Sequence, residues 1–252
     1  MDQKVRLYTD LLMKSVTNAI YKDDIDLYAK RESREVPIGD AQRGIGAGWP
    51  SKAHSMVGEM RLRNLRDLAQ RAIDEKIPGD FIETGVWRGG CCILMRGIIA
   101  INEIGDRKVW VCDSFEGLPP PDLDQYPKEE KMNFAVFQEL AVSVEEVKRN
   151  FELYGFLDDQ VKFVKGFFKD TLRHIESEKF ALLRLDGDLY ESTMDALVPL
   201  WPQLAPGGFV IVDDYHVIPA CKDAVHDYLD AQGVKVEIHD IDNAGVWFQK
   251  PK

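Results

Sequence analysis

The stretch Phe81-Ile82-Glu83-Thr84-Gly85-Val86-Trp87-Arg88-Gly89-Gly90, followed at once by the apolar run from Cys91 to Ile101, decides the fold of this chain. Phe81 to Thr84 read as a β-strand, the glycines as a tight turn, and the apolar run as a helix. Glycine lets the backbone turn sharply and lets a ligand come close, and a helix N-terminus offers unpaired amides. In an open α/β sheet, ligands gather outside the carboxyl ends of the strands near the switch in strand order, so this loop is expected to receive a nucleoside cofactor. A plain glycine turn into a helix is the alternative reading.

Working outward, further short β-rich runs alternate with helical patterns: Val109 to Cys112, Val161 to Val164, Phe180 to Leu185, Phe209 to Val212, Val234 to Ile238 and Gly245 to Gln249. Such alternation predicts an α/β fold of Rossmann-like type, a mostly parallel seven-stranded sheet covered by helices. Only Asp240 to Ala244 separates the last two strands, so they are expected to form an antiparallel C-terminal hairpin. A helix is expected over Ala53 to Glu75, with Met56, Met60, Leu65, Leu68, Ala72 and Ile73 as its core face. Val144, Val147, Phe151 and Tyr154 mark another. Between Val36 and Pro50 four glycines crowd around Trp49, the signature of a mobile loop or lid. Residues 1–75 read as a helical or lid region packed on a core formed by 76–252.

The 252 residues carry 32 Lys plus Arg against 43 Asp plus Glu, a formal charge of −11. This balance excludes a general nucleic-acid surface, which needs clustered cations. The apolar run to Ile101 is broken by Arg96 and falls short of the ~20 residues that span a bilayer, so no membrane span is expected. Met1 to Tyr21 lacks the order of a secretory signal, and cytoplasmic residence is the default expectation. Cys91, Cys92, Cys112 and Cys221 form no CxxC pair and read as buried packing residues, zinc binding being the alternative.

The loop after Phe81 to Thr84 departs from Gly-x-Gly-x-x-Gly, because Glu83 stands where the first glycine is needed. A carboxylate there repels a pyrophosphate and suits a cationic ligand, such as the sulfonium and ammonium of S-adenosylmethionine. The next strand ends in Asp113-Ser114-Phe115, where an acid can accept hydrogen bonds from ribose hydroxyls or merely cap a turn. Two later strands end in Asp186-Gly187-Asp188 and Asp213-Asp214-Tyr215. Neighbouring strands lie ~4.8 Å apart, so up to four carboxylates converge. Like charges so close raise one another's pKa and call for a hard divalent ion, Mg²⁺ above all; helix caps or solvated loop acids are the alternatives. His54 and His216 are weaker candidates. Leu118 to Pro121 predicts a rigid pocket wall, and the charged stretch Lys128 to Lys131 a solvated helix start.

Together with Trp49-Pro50-Ser51-Lys52-Ala53-His54-Ser55-Met56, Gly166-Phe167-Phe168-Lys169-Asp170-Thr171-Leu172 and Leu189-Tyr190-Glu191-Ser192-Thr193, these motifs resemble the macrocin O-methyltransferase (TylF-type) family from about Leu7 to Phe248. The resemblance implies the seven-stranded S-adenosylmethionine-dependent methyltransferase fold and Mg²⁺-dependent methylation of a sugar hydroxyl on a glycosylated natural product. It implies Asp186, Asp213 and Asp214 as metal ligands and Asp188 as general base. Glu83, Thr84, Gly85, Asp113, Ser114 and Asp186 fall at cofactor positions, Ser55 and Met56 near the methionine end, and Phe167 and Phe168 near the adenine. It further implies a small-molecule glycoside as acceptor and a homo-oligomer, dimer or tetramer. Methylation of a catechol-type diol, or cofactor binding without turnover, are the competing functions.

Overall fold

In the computed structural model, which describes residues 1–29, 35–129, 132–175 and 179–252, five apolar runs form parallel strands. They are β1 (Asp80–Thr84), β2 (Val109–Asp113), β3 (Val161–Lys165), β4 (Phe180–Leu185) and β5 (Leu204–Val212). With β6 (His239–Asp240) and β7 (Val246–Gln249) they make one seven-stranded sheet in the order β3-β2-β1-β4-β5-β7-β6. Pairing is parallel from β3 through β5 and antiparallel from β5 to β7 and β6. Every residue of β4 is buried, as expected of a central strand covered on both faces. The direction of strand order reverses between β1 and β4, which places the ligand crevice at their carboxyl ends.

Strand alternation divides the core in two. Phe81, Val109, Val111, Leu182, Phe209 and Ile211 face α1 (Gln3–Val16), α3 (Glu59–Asp74), α4 (Gly90–Ile101) and α5 (Val144–Leu153), with α2 (Asp40–Ile45) lying ahead of α3. Ile82, Leu183, Val210 and Val212 face the opposite side. There α7 (Tyr190–Gln203) and α8 (Pro219–Ala231) pack, while the short α6 (Phe168–Thr171) follows β3. All four cysteines are free and buried. No helix among the described residues is long and apolar enough to cross a membrane.

Several expectations are corrected. The sixth strand is His239–Asp240, opposite Trp247 and Val246, not Val234 to Ile238. Val234, Val236 and Ile238 instead pack half-buried against the core, and the Val234 amide is spent on the Leu229 carbonyl in the last turn of α8 at 3.0 Å. The helix expected from Ala53 begins at Glu59. Asp24 Oδ1 accepts hydrogen bonds from the Lys52 and Ala53 amides at 2.7 and 3.1 Å, and the Val16 carbonyl accepts from the His54 and Ser55 amides at 2.8 and 2.9 Å. These long-range bonds hold the chain before Glu59 in irregular, non-helical structure, and Met60, in the first turn of the helix, is 51% exposed instead of buried. The glycine-rich stretch is not all loop, since α2 lies inside it and is ended by Gly46. Within Lys128 to Lys131, Glu129 is buried in a single 3₁₀ turn and accepts a hydrogen bond from the Tyr190 amide at 2.6 Å. Glu130, Lys131 and the Lys128 side chain lie outside the described residues.

Candidate active site

The carboxyl ends of β1, β4 and β5 are joined beyond the strands themselves. Asp186 N donates to the Thr84 carbonyl and Asp213 N to the Leu185 carbonyl, both at 2.9 Å. Gly85 has φ +83, and a Cβ there would lie 1.8 Å from the Asp186 carbonyl oxygen, so only glycine allows this approach. Above the junction opens a cavity of about 730 Å³. Its roof comes from residues 45–60 and from the loop after β2, including Leu118, Pro119 and Pro120, which form the expected wall.

Glu83, Gly85, Asp113, Ser114, Phe167, Phe168, Asp186, Asp188, Asp213 and Asp214 all line this cavity, as do Ser55 and Met56. Thr84 does not, because strand alternation turns it away from the face that Glu83 presents. Its buried hydroxyl has no hydrogen-bond partner among the described residues. Asp113 holds its own turn, with Oδ2 accepting from Val86 N and Oδ1 from Phe115 N, each at 2.8 Å. The turn role is therefore real, and the same carboxylate also faces the cavity. His54 lines the cavity with Nδ1 2.8 Å from the Tyr154 hydroxyl. His216 is exposed, pairs with Asp240 at 2.8 Å, and takes no part in the lining.

One oxygen from each of Asp186, Asp213 and Asp214 lies within 4.8 Å of the others. Two arginines that the motif reading passed over organise this cluster. Arg184, 1% exposed near the carboxyl end of β4, donates to Glu83 Oε1 at 2.5 Å, to Asp186 Oδ2 at 2.7 Å, and to Asp213. An arginine inside an otherwise apolar strand was itself a signal, since such residues are almost never fully buried unless paired. Arg61 of α3 also pairs with Asp213, but nothing in its helical pattern foretold that contact.

The arginines do not neutralise everything. Asp214 Oδ2 is buried without a hydrogen-bond partner among the described residues. Burial, then the neighbouring Asp188, Asp186 and Asp213, push the Asp214 carboxyl well above the usual range. Burial, Asp186 and Asp213 do the same to Asp188. Asp186 is raised by burial and Asp213, against the opposing pull of Arg184. An orphaned carboxylate oxygen among hard oxygen donors is the donor set of a divalent-cation site.

Burial pushes Glu83 up to about 7 despite Arg184 and a 2.8 Å hydrogen bond from Cys92 Sγ. A carboxyl that holds its proton more tightly folded than unfolded favours the fold at low pH, and that advantage is lost as pH rises from the ordinary Glu range through 7. In metal-free buffer the wild-type melting temperature is therefore expected to fall across this interval, and Glu83→Gln to fall less steeply. Thermal scans from pH 4.5 to 8 check this; a wild-type midpoint that climbs across the interval contradicts it.

Comparison with known proteins agrees with this architecture. The profile of the macrocin-O-methyltransferase (TylF) family matches residues 5–250. Mycinamicin III 3''-O-methyltransferase of Micromonospora griseorubida is 45% identical over 249 residues, 98% of this chain and 97% of that protein. The 8-demethyl-8-(2,3-dimethoxy-alpha-L-rhamnosyl)-tetracenomycin-C 4'-O-methyltransferase of Streptomyces olivaceus is 47% identical over 245 residues, 96% and 92% of the two chains. The solved structure of the O-methyltransferase NovP superposes with a TM-score of 0.93 at 44% identity, covering 98% of this chain and 100% of that one. With its sheet order, its cavity at the β1/β4 switch and a family match along nearly its whole length, the chain belongs to the macrocin O-methyltransferase family and is an O-methyltransferase.

Proposed function

We propose that this enzyme moves the methyl group of S-adenosylmethionine onto a hydroxyl of a sugar in a natural-product glycoside, with Mg²⁺ held by Asp186, Asp213 and Asp214. The observation that carries the reading is the cluster of three carboxylates within 4.8 Å, one oxygen orphaned, on the wall of the cavity of about 730 Å³. Glu83, Gly85, Asp113 and Ser114 take the nucleoside and sulfonium, Ser55 and Met56 the methionine end, Phe167 and Phe168 the adenine, and Asp186 borders both ligands. Residues 1–75 act as a cover over the core. The activities of the two relatives, one of which acts on a rhamnosyl-bearing tetracenomycin, point to a sugar hydroxyl.

Methyl transfer is an in-line displacement: an acceptor lone pair forms the O–C bond, the C–S bond breaks, and its electrons leave neutral sulfur behind. Holding the two reactants in line is worth about 7–11 kcal/mol in favourable cases. Asp188 takes the hydroxyl proton on its carboxylate. In the metal-free chain burial and the neighbouring Asp186 and Asp213 hold its carboxyl well above the usual aspartate range, an environment that favours its taking up a proton. Bound Mg²⁺ supplies Lewis-acid stabilisation of negative charge on the acceptor oxygen. Arg184 keeps Glu83, Asp186 and Asp213 at fixed distances, so the cofactor acid and the metal ligands stay in register.

Ile45, Met60 and Val217 line the cavity although they are 57%, 51% and 57% exposed. Three large apolar groups exposed on the cavity lining fit the aglycone of a glycoside. Ile45→Ser with Val217→Ser is expected to raise the acceptor KM about tenfold with kcat within twofold, the equivalent of about 1.4 kcal/mol of apolar contact. Steady-state kinetics check it, and an unchanged KM contradicts it. The proposal includes cytoplasmic residence and self-association, for which Leu7 and Leu11, exposed one turn apart on α1, offer an apolar stripe. Incubation with methyl-labelled S-adenosylmethionine, mycinamicin III or rhamnosylated polyketides, and simple catechols tests the function. Label in the glycosides supports it, and label in the catechols alone overturns it.

A further inference from the structure

Three segments of the cavity wall meet on one side chain. Arg61, 8% exposed, stands in the first turn of α3 and spends all three guanidinium nitrogens. Nη1 donates to Asp213 Oδ2, Nε to Asp242 Oδ2 at 3.1 Å, and Nη2 to the Ile45 carbonyl at 3.2 Å. Asp242 is fixed in turn, its Oδ1 accepting from the Ala244 and Gly245 amides at 2.8 and 2.9 Å. The chain opens a path for the guanidinium at Gly46, where φ is +67 and an added Cβ would stand 2.5 Å from Nη2. The end of α2, the end of β5 and the β6–β7 turn thus close on a single planar fork, an arrangement that suits arginine and not lysine.

This arrangement is costly for an ion: Arg61 balances the buried Asp213 and Asp242, but its permanent positive charge opposes any cation that shares Asp213. We propose that Arg61 is a positioning residue that gives up some Mg²⁺ affinity in order to fasten residues 40–47 and 241–245 to the metal ligand Asp213, closing the acceptor side of the cavity. The inference rests on the metal reading given above. Charge and fork geometry are separable: Arg61→Gln removes both, whereas Arg61→Lys keeps the charge and loses the three-way grip.

The test titrates MgCl₂ into metal-free wild type and the two variants by calorimetry, and follows hydrogen–deuterium exchange over 40–47 and 241–245 in the same proteins. Arg61→Gln is expected to bind Mg²⁺ about tenfold more tightly than wild type and to exchange at least tenfold faster in both segments. Arg61→Lys is expected to bind Mg²⁺ within threefold of wild type while exchange accelerates in the same segments. A merely structural role would leave Mg²⁺ affinity unchanged or weaken it in Arg61→Gln, and that result overturns the proposal. If Arg61→Gln does not fold, Arg61→Lys decides alone: exchange at the wild-type rate overturns the proposal. Wild type that takes up no Mg²⁺ brings down the metal reading and this inference together, whereas wild-type uptake with a weaker Arg61→Gln brings down this inference only.

Discussion

Asp188→Asn is expected to lower kcat by about 10²- to 10⁴-fold, the usual contribution of a positioned base, with S-adenosylmethionine affinity unchanged. The substitution is nearly isosteric, and asparagine tolerates the backbone at this position. Asp188 has φ +60, inside a turn closed by a 2.6 Å hydrogen bond from Leu189 N to the Gly187 carbonyl, and Asn is among the few non-glycine residues that enter this region readily. What the variant loses is the ability to take a proton. The neighbours that raise the Asp188 pKa, Asp186 and Asp213, remain in place. Single-turnover kinetics beside cofactor calorimetry separate proton transfer from binding. Turnover at the wild-type rate would remove Asp188 from the mechanism.

The second large effect pairs a loss with a gain. Asp214→Asn removes the carboxylate whose Oδ2 has no protein partner, so Mg²⁺ affinity should fall by at least about 100-fold, more than the 10- to 100-fold typical of a mere supporting group. Methyl transfer should fall with it at limiting Mg²⁺. The metal-free protein should become more stable, because a buried, crowded negative charge has been deleted. We expect about 1–2 kcal/mol, which at this chain length is about 2–4 °C in melting temperature for each kcal/mol. The Asp214 pKa is raised in the folded chain, so its penalty grows as pH climbs above the ordinary Asp range, and the variant's advantage should be larger at pH 8 than at pH 5. Thermal scans at both pH values with and without Mg²⁺ check the pair. A variant that melts lower than wild type without metal contradicts the orphaned-charge account.

The parts of the fold legible in the sequence were those written in local chemistry. Buried parallel strands are continuous apolar runs, so Phe180 to Leu185 and its neighbours could be read directly, and the acids that end them had to converge once those strands were adjacent. Helix boundaries set by distant partners were not legible. The apolar period continued from Met60 back to Met56, and Asp24 and the Val16 carbonyl, reached through tertiary folding, bind the amides of residues 52–55 and keep this stretch out of the helix. The arginines belong to the same class. Arg184 reaches Glu83 across 101 positions and Arg61 reaches Asp213 across 152, separations that no spacing motif encodes. Arg184 at least left a trace, a charge where the strand should be apolar. Thr84 shows the converse: adjacency in a motif brought it into the candidate set, and the period of two in a strand turned it away from the cavity.

In the proposed mechanism a divalent ion sits where β4 and β5 end. Crystals grown with S-adenosylhomocysteine and Mn²⁺ as an anomalously scattering substitute test it most directly. The account predicts one strong anomalous peak within about 2.0–2.3 Å of an oxygen from each of Asp186, Asp213 and Asp214, with Asp188 facing the cavity beside it. Anomalous maps with no peak among those three carboxylates at saturating Mn²⁺, while the cofactor product is bound, would contradict it.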